Sequence, residues 1–440
     1  MRILRRSASD VRRIDARIES PEHSSEVNRV VEGGADQPPP VTLRSLTLTA
    51  FVPPALFSVG QGAIAPVVVI SASQLGANPA QAALVVAIAG IGQVVADLPA
   101  GALATRFGDR AAMVIAAILT CAALGVCMWA PNLVAFAGAM FVTGSGTAVW
   151  QLARQAYVAQ AVPFHLRARA MSTLGGVYRI GLFIGPFVGS VVVAHTALAG
   201  AYGVHLVACV LAVAGLLLAP DVTAPGPKTA AIPTTSLSLA REHRPVLTTI
   251  GVGILLVSAI RATRQVVVPL WGQHLGLSPS TIAVIFGVSG AVDMLLFYPA
   301  GRVMDRFGRA AAAIPSMVSL AVGHVLVPFT HSAAALLAVG VLMGLGNGAS
   351  SGLVMTLGAD LAPPHARARF LGIWRLLADV GNGAGPLALS GITAVLSLAV
   401  GIASFGAVGV LTAAFLGYWI PRRGRPVRSD RETLGRAGDP

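Results

Sequence analysis

Residues 75–112 read LGANPAQAALVVAIAGIGQVVADLPAGALATRFGDRAA, and residues 275–312 read LGLSPSTIAVIFGVSGAVDMLLFYPAGRVMDRFGRAAA. Laid over one another at a shift of 200 residues, without a gap, they agree at 13 of 38 positions. Composition alone gives roughly one in ten. The same shift carries Pro163, His165 and Arg167-Ala168-Arg169 onto Pro363, His365 and Arg367-Ala368-Arg369. It also carries Gly181, Gly185-Pro186 and Ser190 onto Gly381, Gly385-Pro386 and Ser390. The chain is one unit written twice.

Each unit is built from apolar runs. Of 440 residues, 55% are hydrophobic and only 11% charged, and the mean hydropathy is +0.75. A soluble domain carries about 25% charged residues, so a soluble enzyme is excluded, as is disorder over most of the length. A membrane β-barrel alternates apolar and polar residues, whereas these runs are continuous. Twelve of them reach the roughly 20 residues a bilayer requires: near 45–73, 80–103, 111–130, 132–160, 170–194, 201–219, 246–272, 280–302, 310–330, 333–361, 370–394 and 399–420. The fourth and tenth are long enough to need tilt or an extension past the bilayer.

The basic residues test this map. If the chain starts inside and alternates, 26 of its 31 Arg and Lys residues fall in the inner segments and none in the outer loops. The other five lie within spans. That asymmetry predicts both termini on the cytoplasmic side and explains the net charge of +13 without nucleic acid. The expected organisation is a disordered tail over 1–44, a six-helix bundle over 45–219, a cytoplasmic linker over 220–245, a second bundle over 246–420 and a basic tail over 421–440. The fold class is all-α polytopic, with twelve transmembrane helices in two pseudo-symmetric bundles. Cys121, Cys127 and Cys209 sit in apolar runs and read as small buried residues. The first twenty residues hold no apolar core, so no secretory signal is expected.

The loop after span 8 reads Gly301-Arg-Val-Met-Asp305-Arg306-Phe307-Gly308-Arg309. It resembles the loop of the major facilitator superfamily, Gly-x-x-x-Asp-Arg/Lys-x-Gly-Arg/Lys-Arg/Lys, and departs only at Ala310. The copy after span 2 keeps Gly101, Arg106 and Gly108 but has Thr105 and Asp109 where the family has an acid and a base. The resemblance implies the twelve-helix fold of that superfamily and a gating role for these loops at the inner face. There an acid near a helix N-terminus and an arginine across the halves would latch the face shut. Fixing of topology and turns is the plainer account. Span 5 carries Gly181-x-x-x-Gly185-Pro186-x-x-Gly189, which resembles the signature of the superfamily's drug:proton antiporters. Helix packing explains the same glycines, and span 11 holds a partial copy. The arginine that the family has at the start of span 4 is replaced here by Met140.

Ionisable residues inside a bilayer are expensive and mark function. Arg154, Arg179, Arg261, Arg264 and Arg375 lie within spans, with Asp97, Asp293 and Asp379. All fall on spans 2, 4, 5, 7, 8 and 11, which the resemblance places at or beside the cavity, and none on 3, 6, 9 or 12. Arg179 lies about 14 Å from the inner edge by helix rise, and Asp379 is its mate under the 200-residue shift. Arg261 and Arg264, three apart, share a face. The expectation is that Arg179, Arg261 and Arg264 contact substrate or its counter-charge, and that Asp293 and Asp379 carry a protonation step. Static Arg–Asp pairs are the alternative. Trp150 and Trp374 suit stacking on a planar substrate or packing, and His324 suits packing.

The sole lysine, Lys228, lies outside any phosphate-binding glycine loop, so an ion gradient is the expected energy source. The function expected is secondary active transport by alternating access. Its preferred form is proton-coupled efflux of a small molecule or drug across the cytoplasmic membrane, with uptake or exchange of an organic anion as the alternative. A non-transporting sensor or scaffold is a rival of another class. No enzyme activity, cofactor, metal or nucleic acid is expected; the partners are a small-molecule substrate, a proton or other ion gradient and the lipid bilayer, with a monomer as the assembly.

Overall fold

A computed structural model describes residues 50–162, 166–218, 236–363 and 366–423. The tail 1–44, most of the linker 220–245, the C-terminal tail beyond 423, and His165 with His365 lie outside them. Every element among the described residues is helical.

The repeat units begin and end on the same local devices. Span 2, Pro79–Phe107, starts on a capping box in which Asn78 and Gln81 satisfy each other's backbone N–H groups. Its mate, span 8 (Pro279–Phe307), starts on Ser278, whose hydroxyl accepts from the Thr281 N–H at 3.2 Å. Both helices end on a glycine with positive φ: Gly108 at 86° and Gly308 at 88°. An L side chain rarely adopts that backbone, which is why Arg-Phe-Gly recurs there. Spans 3 and 9 begin directly afterwards, as Asp109–Met128 and Arg309–Leu326.

The remaining spans are Leu133–Ala161 (4), Arg167–His195 (5), Leu198–Leu218 (6), Val252–His274 (7), Arg367–Val395 (11) and Leu398–Arg423 (12). Two spans are broken. Span 1 is Val52–Ile64 followed by Val67–Gln74, bent by 45°; Pro66 at the break has no N–H to continue the ladder. Span 10 was expected as one long helix. It is Ala333–Ala349 followed by Leu353–Leu361, interrupted where Gly352 takes φ 86°. Its mate, span 4, has Leu152 at that position and runs unbroken.

Among the described residues, ten helices are long and apolar enough to cross a membrane, and the bent first span makes an eleventh. Span 11 is as long as span 2, at 29 residues, but Arg375, Asp379, Asn382 and its glycines dilute its apolar character. It is the twelfth member of the bundle.

Spans 1 to 6 pack on one another, as do 7 to 12; the two groups meet where span 2 lies on span 11 and span 5 on span 8. The repeat exchanges these two joints, as a pseudo-two-fold axis requires. At the first joint Gly90 faces Gly383 so closely that a Cβ on Gly90 would stand 2.8 Å from the Gly383 Cα. Near the axis, the Ser73 hydroxyl of span 1 donates to the Gln273 Oε1 of span 7 at 3.0 Å; the two residues are exactly one repeat apart. Spans 3, 6, 9 and 12 stand outside and present side chains such as Ile118, Val210, Val322 and Leu411 outward, as a lipid-facing surface demands.

Candidate functional site

Two adjoining cavities lie between the bundles. One, of about 330 Å³, is lined chiefly by spans 1, 2, 4 and 5 and closed by spans 7 and 11. The other, of about 260 Å³, is lined by spans 1, 5, 7, 8 and 10. Ala65, Tyr178, Leu182 and Gln265 border both.

The second cavity gathers four of the residues singled out in the sequence: Arg179, Arg261, Arg264 and Asp293. Arg261 Nε donates to Asn347 Oδ1 at 2.6 Å, and Asn347 Nδ2 donates to Asp293 Oδ2 at 2.5 Å. Arg264 Nη1 stands 3.9 Å from the same carboxylate oxygen, while its Nη2 donates to the Ser289 hydroxyl at 2.6 Å. Arg179 reaches across from the other bundle. It donates to the Ser351 hydroxyl at 2.7 Å and lies 4.4 Å over the Phe297 ring. Arg264 is only 7% exposed, yet its Nε has no hydrogen-bond acceptor among the described residues; nor does Asp293 Oδ1 have a donor. Three guanidinium groups thus line the chamber with one carboxylate, a formal excess of two positive charges. The break in span 10 sits beside them: Asn347, just before it, lines the chamber, and Ser351, within it, is held by Arg179.

Arg154, Arg375 and Asp379 form a separate group that lines neither cavity. Arg375 Nε donates to Asp379 Oδ2 at 3.3 Å, as does Asn382 Nδ2 to Oδ1. Arg154 lies 4.3 Å over the Tyr178 ring. Asp97 Oδ2 is buried with no hydrogen-bond partner among the described residues. Asp379, the repeat mate of Arg179, is therefore held by its own helix neighbour, and Tyr178 stands between the two groups.

The first cavity holds no ionised side chain. Its polar lining is made of amides and hydroxyls, Gln61, Gln93, Thr143, Thr147, Gln151, Gln265, Asn382 and Tyr178, together with the His205 imidazole. A chain of hydrogen bonds runs from Gln151 to the Tyr178 hydroxyl (3.4 Å), on to Gln61 (3.0 Å) and then to Thr147 (2.8 Å). Sequence reasoning passed over these residues and Asn347. The signal was present as uncharged polar residues in mid-span, but charge is the louder marker.

The glycine motif of span 5 is a packing device. A Cβ on Gly185 would stand 2.6 Å from both the Ala63 nitrogen and the Gly62 Cα, and one on Gly189 would stand 2.9 Å from the Ala63 carbonyl; span 5 is thus laid backbone to backbone on span 1. Gly181 abuts Ser58 there, and Pro186 borders the contact. Gly381 and Gly385 seat span 11 on span 7 in the same way, against the Leu255 and Ala259 carbonyls.

At the basic end, Arg309 bridges Asp305 and Asp360, each at 2.9 Å. These ion pairs join spans 8, 9 and 10 within one bundle. In the other loop, Thr105 bonds only to the Ala102 carbonyl of its own helix. Arg106 and Arg306 lie over the neighbouring Phe107 and Phe307. Gly101 and Gly301 have open space beside them. Trp150 is fully buried against Phe57, their rings stacked 4.4 Å apart, and Trp374 donates to the Val354 carbonyl. His324 is satisfied by Leu320 and Thr263.

Twelve helices in two repeated bundles, with a polar cavity at the joint, define a membrane transporter. The chain matches the Major Facilitator Superfamily over residues 54–262 and 250–437 and belongs to that family, whose members are transporters and not enzymes. It is 22% identical over 316 residues to an uncharacterized MFS-type transporter, YhjO, of Bacillus subtilis (strain 168), covering 72% of this chain and 78% of that protein. Among solved structures, a D-xylose–proton symporter superposes with a TM-score of 0.69 at 19% identity over 88% of this chain and all of that one. A POT family transporter in complex with a thioalcohol-conjugated peptide gives 0.72 at 12% identity, over 86% and 96% of the two chains. These likenesses establish the fold.

Proposed function

We propose that the chain is a proton-coupled secondary active transporter of small organic anions, with alternating access to the cavities between its bundles. The observation that carries this is the chamber of Arg179, Arg261 and Arg264 around the single carboxylate of Asp293. Buried positive charge in excess of its counter-charge is unfavourable until an anion arrives. Asp293 competes with that anion for Arg264, and a proton on Asp293 removes the competition. Proton and anion therefore bind together and travel together, which is uptake down an inward proton gradient.

The residue topology supports a cytoplasmic membrane with both termini inside, bundles over 45–219 and 246–420, and a monomer as the working unit, since both halves of the site come from one chain. A second reading, export of a drug by proton antiport, is favoured by the span 5 glycine motif. The matching use of glycines in span 11 gives packing the stronger claim. Flux of radiolabelled organic anions into proteoliposomes under a pH gradient of either sign tests both. Accumulation driven by an acidic exterior supports anion–proton symport. Accumulation only against a proton counterflow sinks it.

A further inference from the structure

Resting on that reading, the two cavities together bear on the rest of the substrate. The arginine chamber alone is small for a solute, at about 260 Å³, and it adjoins a second chamber of about 330 Å³, with Ala65, Tyr178, Leu182 and Gln265 bordering both. Drug-sized ligands occupy sites of about 300–1,000 Å³, so one ligand can span both. The chemistry of the two differs sharply. The arginine chamber offers guanidinium donors. The other sets amides, hydroxyls and the His205 imidazole into an apolar wall that includes Val68, Val86 and Met140. Gln93 and Gln265 stand outside the bonded chain of Gln151, Tyr178, Gln61 and Thr147, and each presents a donor and an acceptor side by side. A hydroxyl does the same in one group, so a hydroxyl-bearing body satisfies such a lining wherever it turns. An alkyl body would strip these amides of water and return nothing.

Gln265 joins the two chambers. It lies one residue beyond Arg264, borders both chambers, and is exposed to them although it sits mid-span in the interior of the molecule. Gln93, from the opposite bundle, lines the far side of the neutral chamber. A ligand held by the arginines and touching Gln93 would bridge the two bundles, as alternating access requires of a site shared by both.

We infer that the substrate is a two-part solute, an anionic head on a hydroxyl-rich neutral body. Its head lies among Arg179, Arg261 and Arg264, and its body among the glutamines of the N-terminal bundle.

Three six-carbon probes separate the parts: gluconate carries head and body, hexanoate the head on an alkyl chain, and sorbitol the body without the charge. Binding to the purified full-length protein is followed by thermal shift and calorimetry at pH 6. Gluconate is expected to bind at least tenfold more tightly than either other probe. Gln93→Leu should lower gluconate affinity roughly fivefold, the worth of one net hydrogen bond, and narrow its margin over hexanoate. Arg264→Gln should abolish binding of both acids. An unchanged ligand-free melting temperature in each variant shows that the fold is intact.

If hexanoate equals or exceeds gluconate, the neutral chamber does not select hydroxyls and the inference fails, while the anion reading stands. If sorbitol equals gluconate, the arginine chamber is no anion site and both fail. Binding of none of the three, or a Gln93→Leu protein that is intact and binds gluconate like wild type, overturns the inference.

Discussion

Replacing Asp293 with Asn removes one charge and little else. The amide is isosteric, and its oxygen can still accept from Asn347 Nδ2, which donates to the carboxylate at 2.5 Å. What changes is the repulsion felt by an incoming anion. Arg264 Nη1 lies 3.9 Å from the Asp293 carboxylate. An anion on the open side of that guanidinium stands about 6 Å from the carboxylate, and at an effective dielectric near 20 the two repel by roughly 3 kcal/mol. That is about a hundredfold in a dissociation constant. On the proposed reading, a proton on Asp293 is what lifts this penalty in the wild-type protein. Its anion affinity should therefore rise as pH falls, by at most tenfold per pH unit for one proton. Asp293→Asn mimics the protonated state at every pH. It should bind gluconate about a hundredfold more tightly than wild type at high pH, converge with it at low pH, and show a flat profile between. In proteoliposomes it should exchange anion for anion yet no longer accumulate anion under a pH gradient. The measurements are calorimetric titration from pH 5 to 9 and paired counterflow and gradient-driven uptake. Weaker binding than wild type at high pH, or gradient-driven accumulation that survives the substitution, refutes the reasoning.

Asp379→Asn removes the partner of Arg375 and Asn382 outside both cavities; it should lower thermal stability while leaving the pH profile of anion affinity in place, which the same titration reads. Gly185→Leu and Gly385→Leu should each collapse the yield of monodisperse protein in fluorescence-detected size exclusion, because both drive a side chain into the backbone of a neighbouring helix; a folded Gly185→Leu protein with lost proton coupling alone would return the motif to antiport. Asp360→Asn should destabilise more than Asp305→Asn, since the Asp360 side chain is 25% exposed and that of Asp305 is 77% exposed, with the larger effect about 1 kcal/mol and weakened by salt; equal melting temperatures would count against a structural Arg309–Asp360 pair. Deleting residues 1–40 and 424–440 should leave flux intact, and loss of all transport would favour the tails as the active part.

The repeat and the arginine asymmetry carried most of the fold. Twelve runs and two bundles are properties of composition, averaged over twenty residues at a time, and such averages are robust. The breaks in spans 1 and 10 are not averages. Each turns on one residue: Pro66, which ends a hydrogen-bond ladder, and Gly352, which turns the backbone left-handed. Depth and sequence spacing brought Arg179, Arg261, Arg264 and Asp293 into view together. They also set Asp379, the repeat mate of Arg179, at matching depth in the other half, across the central cavity or near it. The partner it takes is local: Arg375 lies one helical turn before Asp379 and holds it at 3.3 Å. A local pair forms wherever the helix permits it, and symmetry has no say in that.

Span 11 shows why the site and the membrane signal oppose one another. Its length would carry it across a bilayer with room to spare, yet it fails the apolar test that ten other helices pass. The residues responsible are Arg375, Asp379 and Asn382, together with the glycines at 381, 383 and 385. The glycines bring spans 2 and 7 against it so closely that little lipid-facing surface is required of it. The polar side chains then face protein and cavity, where partners and water satisfy them. A helix can be this polar in a membrane only if other helices surround it. The same enclosure is what makes its polar groups available to a solute. Low hydropathy in a long helix of a repeated bundle is thus a pointer to the transport path, and Asn382, which both lines the neutral cavity and holds Asp379, is where span 11 connects the cavity to the ionic group behind it.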